Sequence, residues 1–207
     1  DGAHVVPRMV VAELMGHTRS LLTGERTALN FLQRLSGIAT LTAQYVAAVS
    51  GTQAVILDTR KTTPGWRLLE KYAVRMGGGS NHRIGLYDMV MIKDNHIDAA
   101  GGVTAAVRAV RMDERITGLA VEVEVRTLAE LHEALELRVD RIMLDNMDEA
   151  TMREAVRITA GQTPLEASGN MTLERIRPVA ETGVNYISVG ALTHSAQALD
   201  LSMKIVE

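Results

Sequence analysis

Glu122 and Glu124 stand two residues apart in the run Val121-Glu122-Val123-Glu124-Val125. In an extended strand, residues two apart share a face, so both carboxylates would project to one side and the valines to the other. Carboxylates turned into a protein interior need cations or a metal as partners. They mark a functional site of that kind, or form structural ion pairs with Arg or Lys. Asp145-Asn146 closes another apolar run. That pair could hold Mg²⁺, directly or through water, or a sugar hydroxyl. Asp and Asn at such points also serve as turn and capping residues.

The cations are unevenly spread. From Thr59 to Lys93 there are seven Lys/Arg against Glu70 and Asp88, a net +5, whereas Asp94 to Ala150 carries thirteen acids against six Arg, a net −7. A basic stretch inside an acidic chain can hold a small anion. Arg67, Lys71 and Arg75 are spaced by four and read as one solvated side of a helix. Arg60, Lys61, Arg83 and Lys93 do not fit that explanation and are the candidate anion-binding cations.

Three glycine-containing segments complete the chemistry-bearing set. Gly77-Gly78-Gly79-Ser80-Asn81-His82-Arg83 reads as a flexible loop. It matches neither the dinucleotide nor the P-loop fingerprint, so it is a phosphate cradle or a mobile connector. Ser168-Gly169-Asn170 and Gly190-Ala191-Leu192-Thr193-His194 each lead into a helical pattern, where backbone N–H groups and close approach at Gly suit an anion. His4, His17 and His132 have no partners in the pattern and read as surface or packing residues. No HExxH-type metal pair occurs, and the eleven Met read as core filler.

Composition narrows the classes. The chain has 207 residues, is 46% hydrophobic and 23% charged, and has formal net charge −3. That is an ordinary globular balance and disfavours general nucleic-acid binding. The absence of Cys removes disulfide frameworks and Cys-ligated zinc or iron–sulfur sites. Six aromatics are too few for a base-stacking platform. No apolar run approaches the ~20 residues of a membrane span. The start, Asp1-Gly2-Ala3-His4, has neither an initiator Met nor a signal pattern, so a missing N-terminal segment is expected.

The elements that would position these residues alternate regularly. Residues 1–24, broken by Pro7, Gly16 and Gly24, read as a linker or the remnant of a preceding domain. A helix is expected from about Thr23 to Val49. Strand-like runs follow at Ala54–Leu57, Met89–Ile92, Ala120–Val125, Arg141–Leu144, Leu165–Ala167 and Tyr186–Val189. Helical patterns lie between them, near Trp66–Arg75, Val103–Met112, Leu128–Leu137, Glu149–Thr159, Leu173–Thr182 and Ser195–Leu201. Thr127, Asp148 and Thr172 suit N-caps. Six strand–helix units over residues 25–207 predict an α/β fold with a parallel sheet, either an open TIM-like barrel or a doubly wound sheet. Each strand ends in charged, small or hydrogen-bonding residues, the edge where such barrels build active sites and late strands hold phosphate.

These motifs together resemble the quinolinate phosphoribosyltransferases, the carboxylating nicotinate-nucleotide pyrophosphorylases. The likeness is carried by Glu25-Arg26-Thr27, Asp58-Thr59-Arg60-Lys61-Thr62-Thr63-Pro64-Gly65, Asn81-His82-Arg83, Ile92-Lys93-Asp94-Asn95-His96, Glu122-Val123-Glu124-Val125, Met143-Leu144-Asp145-Asn146-Met147, Ser168-Gly169-Asn170 and Val189-Gly190-Ala191-Leu192-Thr193-His194. It covers nearly the whole chain in order.

The resemblance implies an open α/β barrel of about six strands beside an N-terminal sandwich domain, most of which is absent from these residues. It implies phosphoribosyl transfer from phosphoribosyl pyrophosphate to quinolinate with decarboxylation, in NAD biosynthesis, by a cytoplasmic Mg²⁺-dependent homodimer or larger homo-oligomer. It implies that Arg60, His82, Arg83 and Lys93, with Arg26 from a neighbouring subunit, bind quinolinate, and that Lys61 lies near substrate and pyrophosphate. Glu124 and Asp145 would sit at the ribose and water-bound Mg²⁺; Ser168, Gly169, Asn170, Gly190 and His194 would hold the 5′-phosphate. Lys61, Lys93, Glu124 and Asp145 are the implied catalytic set. A related barrel with a different nitrogenous acceptor, or a non-catalytic binding module, would share parts of this pattern but not all of these cations.

Overall fold

The computed structural model describes residues 1–206. Helix α1 (Thr18–Ala48) precedes β1 (Val55–Leu57), α2 (Arg67–Met76), β2 (Val90–Ile92), α3 (Asp94–Ala100), α4 (Val103–Met112), β3 (Val121–Val125), α5 (Leu128–Glu136), β4 (Arg141–Asp145), α6 (Glu149–Thr159), β5 (Leu165–Ser168), α7 (Leu173–Ala180), β6 (Tyr186–Ser188) and α8 (Ala191–His194). The six strands form one all-parallel sheet in the order β1-β6-β5-β4-β3-β2. This is the expected open barrel, with β1 and β2 as its unjoined edges.

Alternation along the strands separates two environments. Val123, Val125, Ile142, Leu144, Ala167 and Ile187 are buried against the helix layer, with Leu131, Met152 and Ile176 opposite. Residues between them turn inward. The expected caps are present: Thr127, Asp148 and Thr172 accept from the backbone N–H groups of Glu130, Thr151 and Arg175. Each satisfies an otherwise orphaned donor of its helix.

The structure departs from expectation at five places. Helix α1 begins at Thr18, a turn and a half before the expected start. Asp94–Ala100, which lies outside the expected strands and helical patterns, is a helix ended by left-handed Gly101. Ser195–Leu201 is not helical; the last helix is the short α8 at Ala191–His194. Helix α1 is the physical reason, because it takes up that segment's backbone groups. Gln33 Nε2 donates to the Leu201 carbonyl (2.7 Å), the Leu199 N–H donates to the Gln33 carbonyl (2.9 Å), and Arg34 Nη1 donates to the Ala196 carbonyl (2.9 Å).

The glycine run is the fourth correction. It is a packed crossing: a Cβ on Gly77 would lie 2.3 Å from the Ala39 carbonyl oxygen of α1, and one on Gly79 2.8 Å from Thr42 Cγ2. After it, Ser80 bridges in parallel to Leu57 of β1. Its N–H donates to the Ile56 carbonyl (2.8 Å), so Ser80–His82 occupies the free edge of β1. The fifth correction is Lys71. It is 2% exposed, and its ammonium pairs with the buried Asp58 carboxylate and donates to the His82 carbonyl (3.0 Å). Burial pushes the Asp58 carboxyl up and the Lys71 ammonium down, each resisted by the other. Helical spacing had placed Lys71 on the same side as Arg67 and Arg75; the fold covers that part of the side.

Helix α1 and the C-terminal strap touch backbone to backbone at Gly37, where a Cβ would fall 1.9 Å from the Gln197 carbonyl oxygen. Gly37→Ala is expected to cost roughly 1–3 kcal/mol through overpacking. Thermal denaturation checks it, and an unchanged melting temperature would mean that the strap does not dock on α1.

Candidate active site

The inward faces of the strands carry an unusual load. Register pairs Glu122 with Arg141, Glu124 with Met143, Met143 with Glu166, Asp145 with Ser168, and Glu166 with Tyr186. Glu122, Glu124 and Asp145 therefore share the barrel's interior side, as the spacing predicted. Glu122 and Glu166 are wholly buried and Glu124 nearly so. Glu166 was not among the expected site residues. Its signal was available: an acid inside a strand, two residues before Ser168.

His82 meets this acidic floor from the edge of β1. Its Nε2 lies 3.0 Å from Glu122 Oε2 and 3.3 Å from Glu166 Oε2. Arg141 Nη1 reaches Glu166 at 3.0 Å and its guanidinium stacks over the Tyr186 ring. Burial pushes the His82 imidazole pKa down, but the two carboxylates outweigh it and lift the value to about 9. Burial and the nearby Glu166 charge push Glu122 up. Burial does the same to Glu166, but His82 and Arg141 help to hold it below the usual range.

The Arg83 N–H also points at His82 Nδ1 (2.7 Å), which only the neutral ring can accept. A proton moved from His82 to Glu122 satisfies that contact without changing the cluster's charge. Arg141, Glu166 and the protonated His82–Glu122 pair are neutral together in either form. His82 thus has both ring nitrogens directed at protein groups. It is brought into the site beneath the other cations rather than beside them.

Those other cations sit at the rim. Lys93, at the end of β2, extends its ammonium to Glu124 Oε2 (2.5 Å). Arg83 donates to the Met89 carbonyl (3.1 Å). Burial, with Arg60 as a like-charged neighbour, pushes the Arg83 pKa down. Two neighbouring Arg side chains suit a dianion. Arg60 and Lys61 follow β1 on an exposed loop.

The other side of the same rim is built from two tight turns. Asn146 adopts φ 52° and Asn170 φ 49°. Asn146 donates to Asp145 Oδ1 (3.0 Å), and Asn170 donates to Asn146 Oδ1 (3.2 Å). A Cβ on Gly169 would lie 2.2 Å from that same oxygen, and Gly169 has φ +97°, so only Gly serves there. A Cβ on Gly190 would meet Lys61 Cδ at 3.1 Å and His194 Nε2 at 3.2 Å. Gly190 therefore gathers Lys61 and His194 into one corner. Arg26 lies apart, exposed on α1, and forms no ion pair within the chain among the described residues.

Glu124 and Asp145 offer hard oxygen donors on adjacent strands, the ligand type Mg²⁺ prefers. Glu124 is already paired with Lys93, so these two carboxylates by themselves do not make an all-protein cage. Among the described residues, the only cluster of three ligand groups is the buried His82, Glu122 and Glu166. Arg141 at 3.0 Å from Glu166 already balances that cluster. No described helix is long and apolar enough to cross a membrane.

The described residues form a parallel α/β barrel whose strand ends carry cations on one side of the rim, acids at the centre and two glycine turns on the other side, the edge where barrels of this kind build their sites. The chain belongs to the quinolinate phosphoribosyltransferase family. Residues 38–204 match the model of that family's C-terminal domain, and residues 1–36 match that of its N-terminal domain. The two matches meet inside α1.

The chain is 49% identical to quinolinate phosphoribosyltransferase [decarboxylating] 1b of Nicotiana tabacum, over 99% of this chain and 63% of that protein. It is 48% identical to the chloroplastic nicotinate-nucleotide pyrophosphorylase [carboxylating] of Arabidopsis thaliana, over 99% of this chain and 63% of that protein. The crystal structure of NadC from Streptococcus pyogenes superposes with a TM-score of 0.94 at 49% identity, covering 99% of this chain and 71% of that one. The chain thus spans less than two thirds of the length of these plant relatives.

The raised His82 pKa has a measurable sign. Its stabilising contribution is complete below the ordinary value of 6.5 and is lost as pH rises through about 9. Between those limits the melting temperature of the unaltered protein should fall more steeply than that of His82→Gln. Parallel slopes would show that the imidazole does not titrate against Glu122 and Glu166.

Proposed function

We propose that this chain forms the catalytic barrel of an enzyme that transfers the phosphoribosyl group of phosphoribosyl pyrophosphate to quinolinate. Decarboxylation accompanies transfer, giving nicotinate mononucleotide, pyrophosphate and CO₂ for NAD synthesis. The observation that carries the reading is the division of the rim. Arg60, Arg83 and Lys93 surround one side, and Ser168–Asn170 with Gly190–His194 surround the other. Glu124 and Asp145 stand between them on adjacent strands.

Quinolinate is a pyridine with two adjacent carboxylates. Arg60, Arg83 and Lys93 supply charge-assisted hydrogen bonds to those groups, and Arg26 of a second copy completes the enclosure in a homo-oligomer. His82 takes part by holding the Arg83 backbone. Ser168, Gly169, Asn170, Gly190 and His194 receive the 5′-phosphate, and Lys61 faces the departing pyrophosphate. Mg²⁺, when bound through water at Glu124 and Asp145, would neutralise charge on the pyrophosphate.

The bond from C1′ to the pyrophosphate oxygen breaks and leaves with its electron pair. Glu124 and Asp145 favour the oxocarbenium character that develops at C1′. The pyridine nitrogen, aligned by its clamped carboxylates, bonds to C1′. The ring nitrogen is then positive. It stabilises the electron pair left on the adjacent ring carbon when that carboxylate departs as CO₂, and that carbon takes up a proton. No covalent enzyme intermediate is required. The setting is cytoplasmic.

Incubation with quinolinate, phosphoribosyl pyrophosphate and Mg²⁺, followed by chromatography, should yield nicotinate mononucleotide, and nicotinate offered as the acceptor should not. Product from nicotinate alone would overturn the assignment of the acceptor. Arg83→Ala and Lys93→Ala should each lower kcat/KM for quinolinate by about 10- to 100-fold, the worth of a charge-assisted hydrogen bond. Near-normal turnover in both would sink the carboxylate clamp.

A further inference from the structure

Glu70 is buried outright in α2, remote from the barrel floor. A buried carboxylate without a task is costly. Its task is visible in its partners. Oε2 accepts the Thr63 N–H (3.0 Å), Oε1 accepts the Thr63 hydroxyl (2.8 Å), and Arg34 Nη2 lies 3.3 Å from Oε1. Arg34, on α1, also donates to the Thr193 carbonyl and to the Ala196 carbonyl. Thr193, itself wholly buried, donates its hydroxyl to the Lys61 carbonyl (2.7 Å).

These contacts close a ring that runs from Lys61 through Thr193, Arg34, Glu70 and Thr63 back to the loop carrying Lys61. The ring joins the loop after β1 to α8, which follows β6. These two segments meet at Gly190, where Lys61 Cδ and His194 Nε2 lie at 3.1 and 3.2 Å from the position of a Cβ. None of the ring side chains is itself among the groups placed on substrate.

We infer that Arg34, Glu70 and the Thr193 hydroxyl are positioning residues for the phosphoribosyl donor, holding Lys61 and His194 in register across the β1–β6 seam. This rests on the proposed function for the assignment of that corner to the donor. Of the cations placed on the pyridine dicarboxylate, Arg83 and Lys93 lie off the ring; only Arg60 shares its loop, with an exposed side chain that makes no contact to the ring side chains. The loss therefore falls mainly on the donor.

The test compares Thr193→Val, Thr193→Ser, Arg34→Gln and Glu70→Gln in the full chain. Valine matches the shape of threonine but lacks the hydroxyl; serine restores it. The KM for phosphoribosyl pyrophosphate should rise about 5- to 10-fold in Thr193→Val and Arg34→Gln, with the KM for quinolinate within about twofold, and serine should recover most of the loss. Calorimetric binding of ribose 5-phosphate, which needs no turnover, should weaken by a similar factor in the same variants. Glu70→Gln keeps an acceptor for Thr63 but loses the charge facing Arg34, and should lie between.

Equal rises in both KM values, or ribose 5-phosphate binding unchanged in both Thr193→Val and Arg34→Gln, would overturn the inference. If the unaltered protein binds ribose 5-phosphate but makes no nicotinate mononucleotide, the proposed reaction fails while the calorimetric comparison still decides the ring. If it does not bind ribose 5-phosphate, there is no donor corner to position, and the inference falls with it.

Discussion

The barrel interior is governed by one requirement: carboxylates removed from water must be matched by cations or protons. Glu122 and Glu166 face each other across the strands with no solvent contact. Left alone, two like charges in that setting would not both ionise. His82 and Arg141 supply the balance, and the positions of both follow from it. His82 can reach Nε2 contacts of 3.0 and 3.3 Å only because Ser80 has paired with the edge of β1. The irregular segment after the glycine run thus completes the electrostatics of the regular strands.

The same requirement operates at two further places, each with a different consequence. Asp58, at the end of β1, is matched by Lys71 of α2, which also holds the His82 carbonyl. That pair anchors the segment carrying Arg83. Glu70 is matched by Arg34 of α1 and by Thr63. In each case a buried charge ties a rim loop to the helix layer. Ion pairs of this sort contribute little net stability compared with apolar packing. Their effect is to restrict geometry, which is what a site made of loops requires.

The open edge between β1 and β2 has a functional side. A closed barrel would surround its interior with hydrogen-bonded strands. Here the place of a further strand is taken by Ser80–His82, whose side chains remain available for other work. Lys93 leaves the end of β2 to meet Glu124 on β3, placing a cation beside the central acids. Cations at this edge and glycine turns at the ends of β5 and β6 give the rim two chemically different sides, the division on which the proposed function rests.

Much of this was legible in the residues. Period-two alternation in β3 put Glu122 and Glu124 on one face, because successive side chains of a strand must point to opposite sides. Alternating strand and helix patterns required a parallel sheet, and cap residues such as Asp148 marked helix starts. The motifs of the rim likewise disclosed the family. What local pattern could not carry was partnership across long separations. Lys71 read as a solvated lysine, because its partner lies thirteen residues away on another element. Glu70 had no local mark that distinguished a buried acid from an exposed one, Glu166 had only its place inside a strand, and Ser195–Leu201 lost its helix to the Gln33 carbonyl and to the Gln33 and Arg34 side chains on α1. Chain-local propensities determined the elements and their order; only the tertiary structure decided which charges lose their water, and therefore which partners each must hold.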